Sequence, residues 1–144
     1  MKKPSFRSMI ATASLVLGFS GVGSAHADIF GGFLAIPAGA AATDVYAMTC
    51  PIGTISVKAN VNDAIAAGNQ ISVQVINPNG RATTSTAVDG GGPSALVTLA
   101  GGAGNYLVTL HKNTPVGEGY AVFMDCYTAA GAVAGNQAVL VQNQ

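Results

Sequence analysis

Cys50, Cys126 and His111, with a scatter of single carboxylates, carry most of the chemistry this sequence offers. The two cysteines match no zinc spacing, so a disulfide is the leading reading and two free thiols holding a metal the alternative. A bridge would close a loop of about 77 residues and stabilise the fold by roughly 4 kcal/mol through the unfolded chain. Met48, Met124 and His111 could be written as a soft copper site. Both methionines share strand faces with the cysteines, however, which favours packing in a core. Ser72, His111 and Asp125 could be written as a triad, but no nucleophile-elbow pattern surrounds any serine. The acidic residues stand singly, so neither a glycosidase dyad nor a strong calcium loop is visible. Asp89-Gly90-Gly91-Gly92 has the composition of a calcium turn and reads as a flexible loop. Gly101-Gly102-Ala103-Gly104 lacks the Lys-Ser/Thr of a phosphate loop. The expectation is a protein without catalytic residues, cofactor or metal.

Tryptophan is absent, so stacking on sugars would fall to tyrosines. Tyr46, Tyr106 and Tyr120 belong to core faces by alternation. Tyr127 points outward beside Phe123 and Asp125, and His111 alternates out of the core. Phe123 and Tyr127 are therefore the candidate binding patch, unless the apolar residues 29–36 cover them.

The start of the chain sets the compartment. Lys2, Lys3 and Arg7 precede an apolar run over residues 9–19, and Ala25-His26-Ala27 supplies a small-x-small cleavage pattern. The run is too short to span a bilayer. Residues 1–27 read as a cleaved export signal, with no cysteine at the cleavage point for a lipid anchor. The expected address is secreted, periplasmic or extracellular, with no stable membrane insertion after cleavage, and such compartments permit disulfides.

Removing those 27 of 144 residues leaves 117, enough for one domain with one core. Lys58, Arg81 and Lys112 then face Asp28, Asp44, Asp63, Asp89, Glu118 and Asp125, a balance of −3. Without a basic patch, nucleic acid is excluded as a partner. Few charges with much Gly, Ala, Val and Thr fit a compact β protein, and a weakly charged surface favours association.

The elements that must position these residues are strands. Residues 44–50, 55–61, 71–75, 83–88, 95–99, 106–110, 120–126 and 138–141 all read as β, with Ile55, Val57, Ala59 and Val61 on one face of the second run. Asn77-Pro78-Asn79-Gly80 is a strong turn signal. Turn signals about every eight to twelve residues predict an all-β, antiparallel jelly-roll-like sandwich of about 7–9 strands. Residues 28–43 read as an apolar N-terminal extension or linker, with a first strand before the linker as one reading, and residues 44–144 as the sandwich. In such a fold the strands of Cys50 and Cys126 would be neighbours, with the sulfurs in reach.

Four pieces in order, Asp44-Val45-Tyr46, the strand-turn Ile71 to Gly80, Gly104-Asn105-Tyr106 and Gly119-Tyr120-Ala121-Val122, resemble the bacterial pre-peptidase C-terminal (PPC) domain over residues 44–127. The resemblance implies a secreted, non-catalytic module for substrate contact, secretion or surface attachment. Cell-surface or extracellular protein or polysaccharide would be the partner. Self-assembly by strand donation from either terminal segment is the alternative.

Overall fold

A computed structural model describes residues 28–36, 39–64, 69–86 and 92–144. The expected export signal at 1–27 and residues 89–91 of the expected glycine-rich loop lie outside them. The described residues form nine strands: β1 (Ile29–Leu34), β2 (Thr43–Cys50), β3 (Thr54–Asp63), β4 (Ile71–Asn77), β5 (Gly80–Ser85), β6 (Val97–Ala100), β7 (Gly104–Lys112), β8 (Glu118–Thr128) and β9 (Gln137–Gln142). They form two antiparallel sheets in the orders β1-β8-β3-β6 and β5-β4-β7-β2-β9. The partnerships β1·β8, β2·β7, β3·β6 and β4·β5 are those of a ribbon of four strand pairs rolled into two sheets, an eight-stranded jelly roll. β9 is added outside β2.

Alternation builds the interior. Tyr46 and Met48 of β2, Ile71, Val73 and Val75 of β4, and Tyr106, Val108 and Leu110 of β7 face inward from one sheet. Val57, Ala59 and Val61 of β3 and Tyr120, Val122 and Met124 of β8 face them from the other. Each such valine or leucine contributes about 1.5–3 kcal/mol on burial. β-Branched residues dominate because their stiff side chains fit a pleated surface.

The structure departs from the sequence expectations at three places. Ile55, expected in the core, is 52% exposed. A bulge in the β3–β8 ladder between Thr54 and Ser56 inserts one residue, so the inward phase of β3 is set from Val57 onward. β1 is an integral edge strand, paired with β8 from Ile29↔Phe123 to Leu34↔Glu118, so the sandwich begins well before residue 44. Its Leu34 lies in the core, and Gly32 is required where the Tyr120 ring crosses it, since a Cβ there would collide with that ring.

The third departure concerns the disulfide. Cys50 and Cys126 are bridged, with Cα atoms 5.7 Å apart. Their strands are not neighbours, however. β2 is flanked by β7 and β9, and β8 by β1 and β3. The sulfurs meet across the interior, so the bridge ties sheet to sheet.

Candidate functional site

The inward faces are full, so any binding surface must come from outward residues or strand edges. On the five-stranded sheet one transverse row is apolar across four strands and ends at Arg81 of β5, which stands opposite Ile76. Ile76 of β4 stands opposite Leu107 of β7, Leu107 opposite Ala47 of β2, and Ala47 opposite Val139 of β9. Leu107 is 45% and Val139 63% exposed. An antiparallel sheet with one solvated face normally carries polar residues at such positions.

Ile76, Leu107 and Ala47 of this row floor a groove of about 610 Å³, and Val139 lies beside it. One wall is the β4–β5 turn, where Asn77 Oδ1 accepts a hydrogen bond from the Asn79 amide at 2.9 Å and presents Pro78. The other end carries Thr49, whose hydroxyl donates to Asn105 Oδ1 at 3.0 Å. Tyr106 also contributes to the lining, but its side chain turns inward and its hydroxyl donates to the Gly102 carbonyl at 2.8 Å. Of the described residues lining this groove, none carries a formal charge. The surface is suited to an uncharged, apolar segment with amide or hydroxyl groups at its margins.

The four-stranded sheet holds the pair expected from sequence. Phe123 is half-buried between Ile29 and Asn60 in the register. Tyr127 is half-buried too, with the Lys58 ammonium 4.2 Å from its ring centroid. Between them Asp125 is fully buried, because the chain after β8 folds back along that strand. The Ala134 amide donates to the Cys126 carbonyl at 2.7 Å, and the Asn136 side chain donates to the Met124 carbonyl at 2.9 Å and to Asp125 Oδ1 at 3.0 Å. Burial pushes the Asp125 carboxyl above the usual aspartate range, partly offset by these donors. Burial, and then the neighbouring Asp125, raise Tyr127.

The remaining sequence candidates do not converge. Ser72 and His111 are opposite each other on the outer five-stranded face, but Asp125 belongs to the other sheet, so no triad forms. The Ser72 hydroxyl is instead engaged with that of Ser85 at 2.6 Å. Met48 and Met124 fill the core, and His111 faces away from them.

Two buried polar clusters have no counterpart in the sequence reading. Inside the sandwich the Tyr120 hydroxyl donates to Asp44 Oδ2 at 2.5 Å and lies 3.1 Å from the Tyr46 hydroxyl. Burial, then the hydrogen bond to Asp44, hold Tyr120 far above the ordinary phenol range. At one end of the sandwich the Lys112 ammonium donates to the carbonyls of Leu34, Ala35 and Val116 at 2.9, 2.8 and 2.6 Å. Nearby, Glu118 accepts from Asn69, which in turn accepts from Thr114. Burial, reinforced by Asp63, raises Glu118, whereas burial lowers Lys112. These groups tie β1, β7 and β8 to the residues just before β4.

No helix among the described residues is long and apolar enough to cross a membrane. The chain matches no family model and no curated protein.

Proposed function

We propose that this chain is a secreted, non-catalytic jelly-roll module that binds an extracellular or cell-surface protein through the groove on its five-stranded face. The observation that carries the reading is the uncharged row of Ile76, Leu107, Ala47 and Val139, open on a solvated sheet face. A protein segment suits it better than a polysaccharide, because the one aromatic residue of its lining, Tyr106, is buried in the core and offers no stacking platform. The inter-sheet disulfide and the export-type N-terminus support an oxidising address outside the cytoplasm. The resemblance to PPC domains points the same way.

The test compares retention of the mature protein on washed envelopes of the producing cells. Leu107→Asp is expected to reduce retention at least tenfold, while Phe123→Asp stays near the parent level. Undiminished retention of Leu107→Asp overturns the assignment.

One observation favours a second reading, an assembly subunit. β9 is an edge strand with Val139 and Val141 exposed, an edge open to pairing with another copy. Both terminal strands pair within their own chain, which supports the single-chain module. Molar mass in solution separates the two: a monomer fits the module, a ladder the assembly.

A further inference from the structure

The backbone nitrogen of Asp28 is placed as if to become a charged group. It donates to Asp125 Oδ2 at 3.0 Å, and Asp125 is fully buried. Asp28 is also the first residue after Ala25-His26-Ala27, the small-x-small pattern of an export-peptidase site. The two observations are independent, one from sequence and one from geometry, and they meet on a single atom.

We propose that cleavage between Ala27 and Asp28 creates an α-ammonium that pairs with the buried Asp125 carboxylate and locks β1 onto β8. The inference rests on the export reading above and adds the structural consequence of the cut. Hydrolysis breaks the Ala27 C–N bond. Water's hydroxyl goes to the Ala27 carbonyl carbon, which leaves with the leader as a carboxylate, and the Asp28 nitrogen becomes an ammonium by taking up the released protons. The neutral amide donor thus becomes a cation on the same spot.

Among the described residues, Asp125 lacks such a cation before the cut. Lys58 stands opposite it in the β3–β8 register, but its ammonium sits over the Tyr127 ring. The Asp28 carboxylate just before β1 and the Tyr127 phenol on β8 are the other titratable groups facing it among the described residues, and the Asp28 charge disfavours ionisation of Asp125. The Asn136 amide on the returning segment supplies a neutral donor. Burial without a cation therefore leaves Asp125 reluctant to ionise, and the new ammonium relieves this. The sign follows: an α-amino group held above its ordinary value of about 8 stabilises the fold fully below that pH, and the benefit is lost as pH rises through the raised value. The pair also anchors the edge at which the Met124 amide reaches the Asp28 carbonyl, 3.4 Å away.

The experiment exports the full precursor from a bacterial host and compares it with a second precursor carrying one glycine inserted between Ala27 and Asp28. Both keep the Ala-His-Ala pattern, but the inserted residue displaces the ammonium. N-terminal sequencing is expected to give Asp28 for the parent. The parent product should melt about 5 °C above the glycine-extended one at pH 6, and the gap should close in an Asp125→Asn background. Equal melting temperatures would overturn the lock and leave the export reading standing. Recovery of uncut precursor, or a start elsewhere, would overturn both. If Asp125→Asn does not fold, the α-amino pKa of the parent product decides: a value raised above about 8 supports the pair, and an unshifted one overturns it.

Discussion

On the four-stranded face, Phe123 and Tyr127 point outward and yet are half-buried, drawn in by Ile29, Lys58 and the segment that returns after β8. On the five-stranded face, Leu107 and Val139 also point outward and stay open. The difference lies in what each sheet has at its edge. β8 carries β1 and then residues 133–136 along one side, which brings Asp125 and its donors into a closed cluster. β7 and β4 pair only with other strands of their own sheet, and among the described residues no returning segment pairs along them to cover the row. Aromatic residues that alternate outward are thus a poor guide to an open surface, and a row of aliphatic residues in register is a better one.

Breaking the link between the faces should have the largest effect. Cys126→Ser removes the sheet-to-sheet bridge and is expected to cost about 2–5 kcal/mol in denaturant unfolding. An unchanged midpoint would mean that the sandwich holds together without it. Next comes the closed face. Asp125→Ala strands the donors of Asn136 and Asp28 and should cost about 1–3 kcal/mol while leaving envelope retention intact. Lost retention with unchanged stability would reverse the roles of the two faces.

The polar end of the sandwich sharpens the comparison through pH. Glu118 is held above the ordinary glutamate range, so its contribution is complete below that range and lost as pH climbs through the raised value. Glu118→Gln should flatten this fall in melting temperature across mildly acidic to neutral pH. A profile as steep as the parent's would place the titration elsewhere. On the open face, Leu107→Asp should cost about 1 kcal/mol or less, its effect confined to binding. Smallest of all, Lys58→Ala should remove about 0.5–1 kcal/mol by uncovering Tyr127.

Much of this fold was legible in the chain because inward faces obey a period of two. The runs through Val73, Val108 and Val122, and the Pro78-Asn79 turn, needed only local pattern. The pairing of Cys50 with Cys126 needed only their number, but not its route across the interior, which depends on which strands flank β2 and β8. Ile55 misled because a bulge shifts phase without changing residue type. The groove was hidden for a different reason. Tyr106-Leu107-Val108 and Val75-Ile76 each put an apolar residue where alternation asks for a polar one, and that signal was present. Only the register of four strands shows that the exceptions fall in one row. Asp125 reads as an outward carboxylate until residues separated from it by 97 positions, at Asp28, close over it.

The most direct test of the binding claim places a photo-crosslinking residue at position 107 in one protein and at position 123 in another, each displayed on the producing cells. The account predicts a discrete adduct with another protein from position 107 and little from position 123. Adducts from position 123 alone, or from neither position, would contradict it.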